Sequence, residues 1–251
     1  MIEFQAVSAG YEGRAVLRRI SLQVRQGEVL TVIGPNGCGK STLLRAAARQ
    51  LPLMEGSIRL NGREIGSFGR TEFARAAAFL PQARSLPAIT VQALVSHGRY
   101  PYLGLSRRLR AGDREAIRRA MEQTGVDGWA GRELRALSGG ERQRVYIAMA
   151  LAQGTEAILL DEPTTYLDMR HQFEILELIR RLAGEGKAVL MVLHDLGHAL
   201  RYSDRVALME EGRIAACAAP RELAESGQID RVFRIVAHRQ GENYFFTAQG
   251  R

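Results

Sequence analysis

The chain has 251 residues, of which 46% are hydrophobic and 25% charged, and it carries a formal net charge of +8 at pH 7. This composition is ordinary for a globular protein and excludes wholesale disorder. No apolar run approaches the ~18 residues of a membrane-spanning helix, no secretory signal is evident, and two cysteines are too few for a disulfide framework. We therefore expect a chain of one large domain, with or without an inserted subdomain, in a reducing, cytoplasmic compartment.

The predicted elements change character along the chain. Residues 1–82 indicate strands and turns, residues 83–155 indicate helices, and residues 156–251 alternate strands with helices. This order predicts an α/β fold with a parallel sheet. We expect a single domain, residues 1–251, whose catalytic core comprises 1–82 and 156–251 and whose helical subdomain is inserted at 83–155.

Individual boundaries follow from turn and capping residues. Asn61-Gly62 predicts a hairpin turn. Thr90 predicts the cap of a helix that runs through His97, and Asp113 the cap of another that runs through Gln123. Later in the chain, residues 170–182 form an amphipathic pattern and residues 244–247 indicate a final strand.

Residues 34–42 read GPNGCGKST, which matches the P-loop pattern. An apolar strand precedes the segment and helix-forming residues follow it, as the motif requires. In such a loop, backbone N–H groups bind phosphates, the lysine reaches the β- and γ-phosphates and the serine hydroxyl coordinates Mg²⁺. Only two of the 35 basic residues are lysines, and one is in this loop. We predict a nucleotide site formed by Gly34, Pro35, Asn36, Gly37, Cys38, Gly39, Lys40, Ser41 and Thr42, with Lys40 also catalytic and Ser41 also a metal ligand.

Two further apolar segments end in ionisable residues. Residues 157–160 run into Asp161 and Glu162, and residues 188–193 run into His194. Uninterrupted apolar runs are typical of strands buried on both faces of a parallel sheet, and such sheets bind ligands at the carboxyl ends of their strands. We expect Asp161 to hold the Mg²⁺ shell, Glu162 to accept a proton from the attacking water, and His194 to contact the γ-phosphate.

His194 has a second interpretation. His198 follows it four residues later, a spacing that suits two zinc ligands on one helical face. No glutamate follows His194 and no third ligand is evident nearby, so we favour the phosphate role. We expect His198 to be a surface residue of a helix.

Residues 137–143 read LSGGERQ and precede a helical stretch. Ser138 and Glu141 form a capping box. The box does not explain Gly139 and Gly140, since a glycine costs about 1 kcal/mol relative to alanine in a helix interior. Two glycines indicate that bare backbone N–H groups approach something closely, and an anion at the helix N-terminus fits. Because the chain has one P-loop, a second such helix end predicts a site completed by another subunit.

LSGGERQ resembles the signature motif of the ABC ATPases, and other motifs of that family follow in order between Ile2 and Ala219. The resemblance implies an aromatic ring on adenine at Tyr11, and a catalytic, Mg²⁺-contacting glutamine at Gln82. It also implies a D-loop at TTYLD, ending in Asp168 near the nucleotide, and a switch histidine at His194. The implied fold is a P-loop NTPase core with an N-terminal antiparallel β part and an inserted helical subdomain.

The resemblance also implies partners. Two copies of the chain would face each other head to tail, so that Ser138, Gly139 and Gly140 of one close on the ATP held by the other. ATP and Mg²⁺ are the implied cofactors, and a membrane-spanning permease dimer the implied partner. The chain would then lie on the cytoplasmic face of the cell membrane as a peripheral subunit, with no nucleic acid expected.

Finer details resemble ATPases of importers for iron–siderophore complexes, haem or cobalamin, of which the siderophore class is our first choice. They are GRYPY at 98–102, TTYLD followed by His171-Gln172, and HDLGHA at 194–199. Such importers add an extracytoplasmic substrate-binding protein. In GRYPY, aromatic residues beside a proline suit either a docking surface or a core-packing turn.

Two alternatives remain open at this point. A soluble ABC ATPase that acts on nucleic acid or ribosomes is consistent with the basic charge, but such relatives usually join two cassettes or carry coiled-coil insertions. This chain has one of each motif and no sustained heptads. A regulator that binds nucleotide without hydrolysis is the other alternative, and Glu162 and His194 argue against it.

Overall fold

The structure is a computed structural model that describes residues 1–82, 86–104, 108–241 and 243–248. The described strands are β1 Ile2–Tyr11, β2 Arg14–Val24, β3 Val29–Ile33, β4 Leu53–Leu60, β5 Arg63–Glu64, β6 Ala77–Leu80, β7 Ala157–Asp161, β8 Ala188–Val192, β9 Arg205–Glu210, β10 Arg213–Ala218, β11 Ile235–Gln240 and β12 Asn243–Ala248. The described α-helices are α1 Lys40–Ala47, α2 Arg70–Ala76, α3 Val91–Ser96, α4 Ala111–Thr124, α5 Gly139–Ala152, α6 Met169–Gly184, α7 Leu196–Tyr202, α8 Pro220–Glu225 and α9 Gln228–Phe233.

The central sheet has the strand order β10-β9-β3-β8-β7-β6. The strands from β9 to β6 are parallel, and β10 pairs antiparallel with β9. Strands β3, β7 and β8 are buried along their whole length, as expected where both faces of a parallel sheet are covered. Because parallel strands end at one edge, the segments after β3, β6, β7 and β8 meet there.

Alternate side chains of the central strands enter two hydrophobic cores. On one face, Val29, Ile158 and Val189 pack in the core that includes the helices between β6 and β7. On the other face, their neighbours Leu30 and Leu159 pack in the core that includes α1 and the N-terminal sheet. The period of two along a strand produces this division. The edge of the sheet at which the parallel strands end is therefore supported by a packed core on each face.

The N-terminal sheet is antiparallel, with the order β2-β1-β4-β5. Its predicted hairpin turn is confirmed: Asn61 and Gly62 have φ values of 51° and 80°, and Leu60 pairs with Arg63. The predicted α/β core, with a parallel sheet and an antiparallel N-terminal part, is thus the observed fold.

The described chain between β6 and β7 is helical. Thr90 caps α3 as predicted, because its hydroxyl accepts a hydrogen bond from the N–H of Ala93 at 3.2 Å. α3 ends at Ser96, one residue earlier than predicted, and a 3₁₀ turn over His97–Tyr102 follows. The subdomain limits 83–155 stay a prediction.

The GRYPY turn, which the sequence left open between a core-packing turn and a docking surface, is packed at one aromatic residue and exposed at another. Its role in docking stays a prediction. Tyr102 is packed: the guanidinium of Arg99 lies 3.7 Å from its ring centroid, and its hydroxyl donates to the carbonyl of Gln153 at 2.9 Å. Tyr100 is 59% exposed and lies against His97, with ring centroids 4.6 Å apart. The turn is therefore anchored in the fold and presents one aromatic ring to solvent.

One predicted helix start was wrong. α4 begins at Ala111 and is capped by Arg110, whereas we expected Asp113 to be the cap. Asp113 lies at the third helical position, and its carboxylate reaches back to accept from the N–H of Arg110 at 2.9 Å. An acidic residue at this position binds a free N–H of the first turn as an N-cap does, so the sequence alone did not separate the two arrangements.

The residues after β10 form more structure than their sequence indicated. α8 and α9 lead into the hairpin of β11 and β12, in which the predicted final strand at 244–247 is part of β12. β12 packs on α7, the helix that follows His194. Within the described residues, no helix is both long enough and apolar enough to cross a membrane.

The buried ion pair of Arg99 with Asp113 provides a test of how the helical region is held together. The two side chains are 12% and 7% exposed. We expect Asp113→Ala to lower the free energy of unfolding by about 3 kcal/mol, because the Arg99 guanidinium stays buried without its carboxylate. Chemical denaturation measures the loss.

Glu115→Ala is the matched control, since Glu115 pairs with arginines on the solvent side of the same helix. Exposed ion pairs contribute little, so a much smaller loss is expected. Similar losses for the two variants would show that the Arg99–Asp113 pair does not anchor this region.

Candidate functional site

The loop between β3 and α1 has a conformation that requires glycine. Gly39 caps α1 with φ at 111°, in the left-handed region. A Cβ on Gly34 would come within 2.2 Å of the carbonyl oxygen of Met209. The loop can therefore curl tightly over the start of α1, where free backbone N–H groups and the helix dipole favour a phosphate.

Lys40 lies under this loop with its ammonium group buried. Its side chain donates to the carbonyl oxygens of Gly34 at 2.7 Å and Pro35 at 3.0 Å. These acceptors are neutral carbonyl oxygens, whereas a phosphate oxygen would add the attraction between opposite charges to the hydrogen bond. The arrangement fits a phosphate group held between the ammonium and the N–H groups of the loop.

Ser41 and Asp161 bring two oxygen atoms together at the carboxyl ends of β3 and β7. The Ser41 hydroxyl donates to Asp161 at 3.1 Å, and Asp161 is 4% exposed. Burial raises the pKa of Asp161 above its usual value, and the charge of Glu162 acts in the same direction, while the hydrogen bond from Ser41 lowers it. A hydroxyl and a buried carboxylate side by side are ligands that suit Mg²⁺.

The carboxylate of Glu162 joins three other segments. One of its oxygens contacts Nε2 of His194, and the other accepts from the side-chain amide of Gln82 and, at 2.9 Å, from the hydroxyl of Thr165. The Glu162 side chain is 7% exposed, and its backbone has φ at 51°. A non-glycine residue in this strained conformation, inside such a cluster, is typical of a functional site.

Tyr11 lies at the rim of the site. Its hydroxyl accepts from Arg45 of α1 at 3.4 Å, and the residue is 41% exposed. Arg45 also lowers the pKa of Asp161 through its charge. The structure therefore places an accessible aromatic ring beside the helix that begins in the P-loop.

The LSGGERQ residues lie at the start of α5. Ser138 caps the helix as predicted: its hydroxyl accepts from the N–H of Glu141 at 3.3 Å, and the Glu141 carboxylate accepts from the N–H of Ser138 at 2.7 Å. Ser138 and Gly139 are exposed, whereas Gly140 is buried. Asp168 caps α6 and is also exposed.

The predicted site residues thus form two neighbouring groups. The group at the sheet edge contains the P-loop residues 34–42 with Gln82, Asp161, Glu162 and His194. The second group, at the exposed starts of α5 and α6, contains Ser138, Gly139, Gly140 and Asp168. Sequence reasoning gave no role to Thr165 or Arg45, because nothing in their local pattern indicates the contacts that they make.

His198 is not the surface residue that we predicted. Its side chain is 14% exposed, and its ring packs against Phe173 and Tyr202 at centroid distances of 5.4 and 6.2 Å. α7 begins at Leu196, after His194, so the two histidines do not share a helical face. His194 contacts Glu162 instead. In the part of the chain that the structure describes, no three histidine, cysteine or acidic side chains are arranged to hold a metal ion.

A P-loop facing a paired serine and aspartate at the edge of a parallel sheet defines a P-loop nucleotide-binding protein. Among solved structures, the fold superposes on an inward-facing metal-chelate type ABC transporter with a TM-score of 0.82, at 25% identity over 98% of this chain and 95% of that one. It also matches a dimeric bacterial ABC transporter cassette with a TM-score of 0.76, at 27% identity over 88% of this chain and 99% of that one.

Sequence comparison gives the family. Residues 17–165 match the ABC transporter family. The chain is 43% identical over 235 residues to the iron(3+)-hydroxamate import ATP-binding protein FhuC of Bacillus subtilis, covering 93% of this chain and 87% of that protein. It is 47% identical over 222 residues to the hemin import ATP-binding protein HmuV of Streptomyces coelicolor, covering 88% and 79%. The chain belongs to the ABC transporter family, as an ATP-binding subunit with ATPase activity.

Replacement of Asp161 separates stability from activity. Asp161→Asn removes a buried charge and keeps an oxygen for Ser41, so we expect the free energy of unfolding without Mg²⁺ to rise by about 1 kcal/mol at neutral pH. Mg²⁺-dependent ATP hydrolysis should fall by about 10²-fold or more, because the predicted ligand of the cation is lost. Thermal unfolding and a steady-state ATPase assay measure the two effects.

The gain in stability should depend on pH. Burial places the folded-state pKa of Asp161 above its unfolded value, so the wild-type chain takes up a proton on folding between the two values. The free-energy cost of burying the ionised Asp161 is greatest above the folded-state pKa and disappears below the unfolded-state pKa. The advantage of Asp161→Asn should therefore shrink as the pH falls. An equal advantage at low and neutral pH would contradict this account.

Proposed function

We propose that the chain is the ATP-hydrolysing motor subunit of an importer for iron–siderophore complexes, with haem and then cobalamin as the next candidates. The observation that carries this proposal is the identity of 42–47%, over most of the chain, with ATP-binding proteins named for iron(3+)-hydroxamate import, achromobactin transport, ferric enterobactin transport and hemin import. The site geometry supports the ATPase part independently, because Glu162 is placed among groups that can bind and activate water.

ATP and Mg²⁺ fit the sheet-edge group. The P-loop N–H groups and Lys40 would bind the β- and γ-phosphates, and Ser41, Asp161 and Gln82 would hold the cation directly or through water. Bound Mg²⁺ neutralises charge on the phosphates. Tyr11 would stack on the adenine, which its exposed ring beside α1 permits.

Glu162 is the proposed general base. Its carboxylate would accept a proton from the attacking water, and His194, which contacts the same carboxylate, would help to place that water against the γ-phosphate. Gln82 contacts Glu162 as well. Movement of the segment after β6 would therefore change the hydrogen bonds of the base.

A second copy of the chain would complete each site. Ser138 and Gly139 are exposed at the N-terminus of α5 and make no contact with a nucleotide bound at their own P-loop in this proposal. In a head-to-tail pair, this helix end and Asp168 would close on the ATP held by the partner copy. A solved cassette that the fold matches is dimeric, which supports the pairing of two copies.

The remaining partners follow from the importer assignment. A membrane-spanning permease dimer would bind the chain on the cytoplasmic face of the membrane, and an extracytoplasmic substrate-binding protein would act indirectly. The exposed Tyr100, held by the packed Tyr102, is a docking residue for the permease in this proposal. We also propose that residues 83–155 form the subdomain that moves relative to the core, 1–82 and 156–251.

Glu162→Gln tests the ATPase scheme. Loss of the general base should slow ATP hydrolysis by about 10²–10³-fold without loss of ATP binding. Because ATP then persists, the variant should accumulate as a dimer in ATP and Mg²⁺, which size-exclusion chromatography detects. Glu177→Gln, on the exposed side of α6, is the matched control and should behave as the wild type. A Glu162→Gln chain that stays monomeric with ATP, alone and with its permease, would count against the scheme.

Purification of tagged Glu162→Gln chain from detergent-solubilised host membranes tests the transport assignment. We expect a multi-spanning protein to be recovered in equal amount, and Tyr100→Ala to reduce that recovery. Phe245→Ala, which removes another exposed aromatic ring, should not. Uptake of siderophore complexes, haem and cobalamin by the assembled system then identifies the cargo. Recovery only from the soluble fraction, with nucleic acid or ribosomes attached, would reject the importer.

A further inference from the structure

The two glycines of LSGGERQ have different surroundings in the structure. A Cβ on Gly139 would lie 3.7 Å from the carbonyl oxygen of Tyr166, which is ordinary contact. A Cβ on Gly140 would lie 2.6 Å from Cγ and 2.7 Å from Cδ2 of the His171 ring. The imidazole of His171 therefore lies directly on the backbone at Gly140, and this contact alone requires glycine there.

Asp168 holds the His171 ring in that orientation. One carboxylate oxygen of Asp168 accepts from the backbone N–H of His171 at 2.9 Å and lies 2.7 Å from the ring atom Nδ1. Hydrogen bonds from His171 also lower the pKa of Asp168, so the carboxylate is ionised at neutral pH and can only accept. Nδ1 must therefore carry the proton, and Nε2 remains free of this bond.

A second contact between the same two helices follows one turn later. Arg144 of α5 forms an ion pair with Glu174 of α6, and both side chains are partly buried. The spacing from Gly140 to Arg144 and from His171 to Glu174 corresponds to one helical turn in each case. The start of α5 is thus attached to the start of α6 at two successive levels, and His171 makes the contact at the exposed end.

We propose that His171 is a positioning residue for ATP hydrolysis. Its ring fixes the start of α5, with Ser138 and Gly139, against Asp168 at the start of α6. Both helix starts then meet the partner copy as one rigid unit. This inference rests on the proposed two-copy ATP site. In this proposal His171 itself would touch neither the nucleotide nor the P-loop of the second copy.

This role separates binding from turnover. The P-loop and Tyr11 bind ATP within one chain, so loss of His171 should leave the affinity of the monomer for ATP unchanged. Closure of two copies requires both helix starts at once, so kcat and the ATP concentration needed for dimer formation should change. A residue that serves only folding would instead change thermal stability and leave the kcat of the folded protein unaltered.

Three substitutions separate the two contacts of the His171 side chain, one with Asp168 and one with Gly140. His171→Asn keeps a side-chain donor for Asp168 but removes the ring from Gly140, His171→Phe keeps a ring but removes the donor, and His171→Ala removes both. We expect kcat to fall by about tenfold for His171→Ala and by less for the other two, because a misplacement of 1 Å can cost about 10²-fold. The dissociation constant of the monomeric chain for ATP should stay within about twofold of the wild-type value, because the P-loop binds ATP within one chain.

A double substitution tests the contact with Gly140 directly. Gly140→Ala alone should force the start of α5 away from His171 and lower kcat by about 10²-fold, more than His171→Ala does. Combined with His171→Ala, the added methyl group has room, and kcat should recover at least about threefold over Gly140→Ala. The same pair in the Glu162→Gln chain should show the recovery in dimer formation by size-exclusion chromatography.

His238→Ala is the control, because His238 lies in the C-terminal hairpin, where it bonds to Thr247. It should leave kcat, KM and dimer formation unchanged. The proposal would be overturned if His171→Ala had the kcat and the dimer formation of the wild type. It would also be overturned if Gly140→Ala lowered kcat and the double variant recovered none of the loss. Failure of the proposed function looks different, since the wild-type chain itself would then neither hydrolyse ATP nor pair in the Glu162→Gln form.

Discussion

The buried carboxylate of Glu162 is the constraint on which the site depends. A charge that is 7% exposed is costly unless hydrogen bonds satisfy it, and this one is satisfied from outside its own strand. Gln82 follows β6, His194 follows β8, and Thr165 belongs to the turn before α6. The parallel strands β6, β7 and β8 end at one edge and bring Gln82 and His194 to Glu162, whereas the local turn brings Thr165. The geometry proposed for catalysis is therefore a property of the sheet order and not of any single motif.

The parts of the fold that could be predicted are those in which a physical pattern repeats over several residues. β3, β7 and β8 are buried on both faces, so they appear in the sequence as uninterrupted apolar runs. The Asn61-Gly62 turn adopts positive φ angles that few other residues tolerate. The start of α4 and the elements after β10 were less predictable, because a first-turn acid resembles an N-cap and because the hairpin of β11 and β12 owes its position to packing on α7.

The residues of the site can be divided in the same way, into those that the sequence could predict and those that it could not. Lys40, Ser41, Asp161 and Glu162 were predictable because each chemical role demands one residue type at the end of a strand or the start of a helix. Thr165 was missed although it lies only three residues from Glu162, because its contact depends on the conformation of the turn between them. Arg45 and His171 were missed because their contacts with Tyr11 and Gly140 join residues that are distant in sequence. His198 was misplaced for the same reason: its burial depends on Phe173, which belongs to another helix.

The two glycines at the start of α5 show how one motif can serve two purposes. The first-turn N–H groups of a helix have no acceptor within the helix, and here the capping box binds only those of Ser138 and Glu141. Gly140 is required by His171 within the chain, whereas no contact of comparable closeness restricts Gly139. Gly139, which has no such close contact, is also the exposed glycine, and a phosphate held by another copy can approach its bare backbone. Because Gly140 already contacts His171 of α6, an anion bound at Gly139, as proposed, would act on both helices together.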